Sequence, residues 1–340
     1  MIKLETRKKT DQVKNVALRM TSLNATVNGT QTSSCFNVTA EKIAKTFAYC
    51  VLIVVSVAGN TFIGIIVYKT KTMRKTINFF IVNMAMSDLL FPLILFPRIV
   101  ITLYLDSWLI SGPLGQALCK LVNFLADVSN AVSIQSLVLI AVDRFGAVVY
   151  PLRPPLFSSK RHRWSILGTW IVALAINSSN LFAFKLVEYP EGLGCVWQWH
   201  EVFGESSSFE NYFVAMMVTV NFIPLVLIAI LYIIIYVKLR SQKIPGEQSN
   251  KAGQQRLQQE RNVLKMAIAI VLGFAVCWIP YIICWFLILK QTVNIWSCRF
   301  EYYTFITLLI AHANCAINPC ICFVFSENYR QGVRKLLRCL

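Results

Sequence analysis

The stretch from Phe47 to Tyr68, FAYCVLIVVSVAGNTFIGIIVY, contains no Asp, Glu, Lys or Arg. A helix rises about 1.5 Å per residue, so a run of about 20 apolar residues crosses a hydrocarbon layer roughly 30 Å thick. Six similar runs follow, at 78–97, 121–142, 164–184, 212–237, 266–289 and 302–325. Buried helices of a large soluble protein are the alternative, but seven such runs in one chain favour an all-α bundle that spans a membrane.

The charged residues of the chain are few and unevenly placed. They make up 14% of the sequence, whereas soluble domains carry about 25%. A net charge of +17 alone would suggest a nucleic-acid partner, but the basic residues cluster in alternate loops, after runs one, three, five and seven. Basic loops stay on the cytoplasmic side. The pattern therefore predicts a multi-pass plasma-membrane protein, with the N-terminus outside, the C-terminus inside and no nucleic-acid partner.

The segments predicted to lie outside carry features of an oxidising, glycosylating compartment. The tail before run one has three N-x-T glycosylation acceptors, at Asn24, Asn28 and Asn37. Four cysteines fall in outer segments or at their margins, namely Cys35, Cys119, Cys195 and Cys298. Their spacing alone leaves the connectivity open.

The polar residues inside and beside the runs form an ordered set. They are Gly59-Asn60, Asp88, Asp143-Arg144-Phe145, Tyr150-Pro151-Leu152, Trp170, Pro224, Tyr232, Phe274, Trp278, Pro280, Asn314 and Asn318-Pro319. With them, residues 47–339 resemble the rhodopsin-like (class A) G protein-coupled receptors, and among these the somatostatin, galanin and tachykinin kind of neuropeptide receptor. The resemblance implies a receptor and not an enzyme. It divides the chain into an outer tail (1–46), a seven-helix domain (47–325) and an amphipathic eighth helix (326–340).

The same resemblance implies which cysteines form disulfides and which residues change contacts on activation. It pairs Cys119 with Cys195, which leaves Cys35 and Cys298 as a second pair. It implies that Arg144 pairs with Glu260 in the resting state, although a basic anchor at the membrane surface is the alternative for Arg144. The predicted activation switch is Asp143, Arg144, Glu260, Tyr232, Phe274, Trp278, Pro280, Asn318 and Pro319, and the predicted G protein contacts are Arg144, Pro151 and Leu152.

Asp88 is expected to face the interior of the bundle, because an acid at the centre of a membrane helix is costly. The resemblance surrounds it with Ser133, Asn314 and Asn318 as an allosteric sodium site. A protonated Asp88 that is only hydrogen-bonded is the alternative. No cofactor is required in either case.

The chain departs from the family pattern at three positions. Phe145 replaces the usual tyrosine, and Cys322 stands where the tyrosine of the Asn-Pro-x-x-Tyr motif is found. Asn180 occupies a position where a proline of the fourth helix is common. Altered activation energetics are expected, with the fold retained.

The class of ligand is narrowed by exclusion. Ala126 stands where amine receptors carry an aspartate, with Asp127 one residue further, and His312 stands where opsins carry the retinal lysine. A long second outer loop rich in glutamate favours a cationic peptide, whereas a lipid or another small molecule is the alternative. The candidate ligand-binding residues are Arg98, Asp127, Glu188, Glu191, Trp278 and His312.

Other classes of membrane protein fit less well. Inverted repeats of a transporter, a re-entrant channel segment and a nucleophile–base constellation are not apparent in the sequence. Apolar residues of the eighth helix recur at three- and four-residue steps opposite basic ones, which predicts contact with the bilayer surface. It ends at Cys339, which is either a palmitoylation site or a free cysteine. Few serines or threonines follow the bundle, so arrestin recruitment is expected to be weak.

Overall fold

The computed structural model describes residues 37–338 except 106, 159, 191, 205–207, 242–250 and 290–297, and without the side chains of 241, 251–257, 259–261, 263, 289 and 337. The predicted helical bundle is confirmed. Its helices are α1 (Val38–Lys69), α2 (Thr76–Leu105), α3 (Gly112–Val149), α4 (Arg161–Asn177), α5 (Phe209–Met216, Met217–Phe222 and Ile223–Ser241), α6 (Lys251–Leu289) and α7 (Cys298–His312 and Asn314–Phe325). A last helix, α8 (Glu327–Leu337), follows α7.

Six of the described helices are long and apolar enough to cross a membrane, with α4 counted together with the residues that follow it to Ala183, and α7 makes a seventh span when its two segments, bent by 49°, are taken together. The helices extend past the predicted runs because their polar ends continue beyond the apolar stretch. Asn37 begins α1 in this way, since its Oδ1 accepts hydrogen bonds from the amides of Thr39 and Ala40 at 3.1 and 3.2 Å. The predicted acceptors Asn24 and Asn28 lie outside the described residues.

The fourth run ends earlier than the sequence suggested. Helix α4 stops at Asn177, and a short helix, Asn180–Ala183, precedes strand β1 (Phe184–Tyr189). Strand β2 (Gly192–Trp197) pairs antiparallel with β1, so the second outer loop is a hairpin and not an irregular loop. We call this end of the bundle the hairpin end, and the opposite end the α8 end.

The prolines of α5 and α6 have different effects on their helices. Pro224 has no amide hydrogen, so a kink or bulge is expected before it, and a π-helical segment, Met217–Phe222, ends two residues before it. Helix α6 continues through Pro280, so a kink at that residue stays a prediction. The bend in α7 lies at Ala313, between its two segments.

Polar side chains hold the helices together inside the bundle. Asn60 donates to the carbonyl oxygens of Ser56 and Cys315 at 3.0 and 2.9 Å, which joins α1 to α7. Asn83 on α2 donates to Ser136 on α3 at 2.9 Å. The amide nitrogens of Asn60 and Asn83 therefore find acceptors on neighbouring helices, as buried donors generally do.

Candidate functional site

A cavity of about 350 Å³ opens between the helices at the hairpin end. Four of the predicted ligand-binding residues line it, namely Arg98, Asp127, Trp278 and His312. Glu188 is an exposed residue of β1 and is not among the lining residues. Glu191 lies outside the described residues. The helices thus bring together the predicted residues that come from within the spans, whereas the acid on the hairpin lies elsewhere.

The hairpin is fastened over α3. The predicted Cys119–Cys195 disulfide is confirmed, with the two Cα atoms 5.6 Å apart. Gln116 on α3 accepts a hydrogen bond from the amide of Leu186 at 2.8 Å and donates to the carbonyl of Phe184 at 3.3 Å. Phe184 and Trp197 of the two strands are therefore fixed as part of the cavity wall.

Cys298 is also disulfide-bonded. Its partner is not one of the described cysteines, because six of these are free and the other two pair with each other. The predicted partner, Cys35, lies outside the described residues.

Arg98 is held at the wall of the cavity by two neighbours. Its guanidinium donates to Oδ1 of Asn123 on α3 and lies 5.5 Å from the centre of the Trp108 ring. Asn123 in turn donates to the carbonyl of Cys119 at 2.7 Å. The charge of Arg98 is thereby oriented by a hydrogen bond and a cation–π contact.

Asp127 receives a hydrogen bond that the sequence did not predict. Nδ2 of Asn180 donates to Oδ2 of Asp127 at 2.6 Å. Ser179, the residue before Asn180, is hydrogen-bonded to the hydroxyl of Tyr212 on α5. Asn180, which stands where a fourth-helix proline is common, therefore binds a residue of the cavity wall. In the sequence, only this departure from the family pattern could have pointed to such a role.

His312 belongs to an aromatic cluster at the inner side of the cavity. A ring nitrogen, Nδ1, lies 3.1 Å from the hydroxyl of Tyr49. The rings of Phe91 and Phe96 have their centres 5.3 and 5.7 Å from the imidazole. The aromatic packing and the tyrosine contact already explain why a histidine lies at this position. The case for His312 as a ligand-binding residue is therefore weaker than the case for Asp127.

Trp278 forms the floor of the cavity. Its ring lies 5.9 Å from Phe274 and 5.8 Å from Tyr281, both on α6. Its Nε1 is buried without a hydrogen-bond partner among the described residues. A group that enters from the hairpin end would meet this ring before it reached the middle of the membrane.

Below Trp278, a smaller cavity of about 10 Å³ is lined by Asp88 and Asn314. Asn318 donates to Oδ2 of Asp88 at 2.8 Å. Two buried amide oxygens of these residues, Asn314 Oδ1 and Asn318 Oδ1, accept no hydrogen bond from the described residues. Asp88 and these amide oxygens are the kind of ligand that a hard cation prefers, so they could hold sodium, and the sodium site stays a prediction beside a protonated, hydrogen-bonded Asp88.

At the α8 end, Arg144 pairs with the neighbouring Asp143, with Nη2 2.5 Å from Oδ2. The side chain of Glu260 lies outside the described residues, so its predicted pairing with Arg144 stays a prediction. Pro151 and Leu152 are exposed in the loop that follows α3. Cys322 is fully buried, so the motif tyrosine is replaced here by a small packed thiol.

The rest of the α8 end agrees with an amphipathic surface helix. Val333 and Leu336 pack on the main core while Arg334 and Lys335 are exposed. Cys339 lies outside the described residues.

Comparison with known proteins agrees with this arrangement. Residues 59–321 match the family described as "7 transmembrane receptor (rhodopsin family)". The QRFP-like peptide receptor of Branchiostoma floridae is 30% identical over 298 residues, which cover 86% of this chain and 76% of that receptor. The human Substance-K receptor is 29% identical over 86% of this chain and 72% of its own length, and the RYamide receptor of Tribolium castaneum is 28% identical over 85% and 79%. The seven spans, the α3–hairpin disulfide and this match together place the chain in the rhodopsin family of seven-transmembrane receptors.

Proposed function

We propose that this chain is a plasma-membrane receptor that binds a peptide at its hairpin end and promotes nucleotide exchange on a heterotrimeric G protein at its α8 end. The hairpin end faces outside in this proposal, as the basic loops of the other end suggest. The observation that carries the proposal is the cavity, whose lining runs from Phe184 and Trp197 of the hairpin down to Trp278. Its volume lies near the lower limit of about 300–1,000 Å³ for ligand pockets, which suits the end of a peptide and not its whole length.

The peptide class rests on the relatives, whose names are those of peptide receptors. A cationic peptide is favoured by the exposed Glu188 at the hairpin, although Glu201 is already paired with Lys185 at 3.0 Å. A lipid or another small molecule remains the alternative for a cavity of this size.

Transduction would use two states of the α8 end. In the state described here, Arg144 is paired with Asp143, and Tyr232 on α5 is buried. A ligand that contacts Trp278 can shift the equilibrium toward a second state only by binding that state more tightly. The exposed Pro151 and Leu152 would then contact the G protein. Weak arrestin recruitment stays a prediction that none of these contacts tests.

The experiment is a screen of synthetic peptide pools on cells that express the receptor with a promiscuous G protein, read as nucleotide exchange in isolated membranes. We expect some pools to raise exchange, and the Arg144→Ala variant, expressed at equal surface level, to lose the response. A response to lipid extracts and not to peptides would instead support the alternative class.

A further inference from the structure

Asp127 is an acid in the middle of a membrane-spanning helix, and yet its side chain is exposed. The exposure is toward the cavity, because Asp127 and its partner Asn180 both line it. An ionised carboxylate at this depth is costly unless it is paired, and such residues are usually functional. We therefore expect the carboxylate of Asp127 to pair with a group that enters the cavity.

The described residues give the Asp127 carboxylate one hydrogen bond but no positive charge. Asn180 donates to Oδ2, while Oδ1 accepts no hydrogen bond from the described residues. A neutral amide orients a carboxylate without neutralising its charge. Within the described part of the chain, Asp127 forms no ion pair with a lysine, arginine or histidine.

The arginine of the cavity wall already has partners of its own. Arg98 is bound to Asn123 and lies over Trp108. Asn123 and Asp127 are four residues apart on α3, so they share a face and differ by about 6 Å in depth. The wall thus carries a positive charge nearer the hairpin and a negative charge one turn deeper. A cation that enters is repelled at the upper level and attracted at the lower one.

The orientation of Asn180 is itself fixed. It begins the short helix that follows the break after α4, and Ser179 ties that helix to Tyr212 on α5. Asn180 is therefore a positioning residue for Asp127.

We propose that Asp127, held by Asn180, is the subsite for one cationic group of the peptide, an amine or a guanidinium, and that it sets the specificity of the cavity. The inference rests on the proposed function, since it names the chemistry that a peptide must present at this depth. Trp278 and Tyr281, which line the same cavity, would contact the apolar stem of that cationic side chain.

The test uses a positional-scanning library of tetrapeptide amides, in which each position in turn is fixed as arginine or as its neutral isostere citrulline. Nucleotide exchange is measured in membranes with matched surface expression. With the unmutated receptor, one position is expected to prefer arginine by at least about thirty-fold, the loss typical of truncating one partner of a buried charge pair. Asp127→Asn should abolish this preference, and Asn180→Ala should weaken it. Glu327→Gln, which removes an exposed acid at the α8 end, away from the cavity, is the control and should retain it.

A charge swap keeps the test informative if the neutral variant folds poorly. Asp127→Lys should respond better to pools fixed as glutamate than to pools fixed as glutamine, a gain that misfolding cannot produce. Equal potency of arginine and citrulline pools on the unmutated receptor would overturn this inference alone. So would an arginine preference that survives in Asp127→Asn, because another acid such as Glu301 at the cavity wall would then be responsible. Absence of any response to peptide pools, with receptor measured at the cell surface, would overturn the proposed function together with this subsite.

Discussion

The hydroxyl of Tyr329 on α8 donates a hydrogen bond to Oδ1 of Asn78 on α2 at 3.3 Å. The tyrosine side chain is only 1% exposed, and Asn78 is itself held by a bond from its Nδ2 to the carbonyl of Met73 at 2.6 Å. The helix that follows the bundle is thus fastened to it by a buried polar contact and not only by its apolar face.

We expect Tyr329→Phe to lower the free energy of unfolding by about 1 kcal/mol, because it removes one buried hydrogen bond and leaves the packing intact. Tyr329→Ala should cost about 3–5 kcal/mol, since it also leaves a cavity. Thermal unfolding of the purified receptor in detergent measures both. The control is Tyr236→Phe at an exposed position of α5; equal unfolding temperatures for the two Phe variants would mean that the bond contributes nothing.

Sodium is expected to stabilise the receptor through Asp88. The ion would occupy the site formed by Asp88 with the side-chain oxygens of Ser133 and Asn318, and a ligand of the folded state raises its stability. The unfolding temperature should be higher in sodium chloride than in potassium chloride of equal ionic strength. Asp88→Asn should remove this difference, whereas Asp127→Asn, the same change at the other membrane acid, should keep it. A sodium effect that persists in Asp88→Asn would refute the site.

The number of spans and the order of the motif residues could be predicted from sequence because both are local properties. Asp88 and Asn318 were expected to meet, and they do, because each stands in a pattern repeated across the family. The Cys119–Cys195 pairing was predicted for the same reason.

The sequence did not reveal contacts that depend on how separate segments approach one another. The bond from Asn180 to Asp127 needs the break in α4 at Ser178 and Ser179, and neither serine marks a break strongly. The hairpin was also missed. FKLVEY and GLGCVW are short segments, and they form strands by pairing with each other in the folded loop, which the disulfide holds against α3. Tertiary context decides such segments.

We expect Asp143→Asn to raise basal nucleotide exchange, by roughly tenfold. Arg144 is held by the carboxylate of Asp143, and a hydrogen bond between charged groups contributes about 1.5–3 kcal/mol, so its loss shifts the balance of the two states toward the active one. Exchange without ligand is measured at equal surface expression. Glu327→Gln, which breaks an exposed ion pair with Arg330 on α8, should leave basal exchange unchanged. An unaltered basal rate in Asp143→Asn would show that the pair does not hold the resting state.

Two glycines on α1 offer the sharpest test of the packing. A Cβ added at Gly59 would lie 2.7 Å from both Cβ and Cγ of Pro319 on α7, whereas one added at Gly64 would meet nothing within 4 Å. The proline ring cannot rotate away, so Gly59→Ala must push α1 from α7 and should cost about 1–3 kcal/mol of stability. Gly64→Ala should be neutral or stabilising by up to about 1 kcal/mol, because alanine is the better helix former. The difference in unfolding temperature between these two single-methyl variants measures the contact directly, and similar values for both would mean that the helices are not packed this closely.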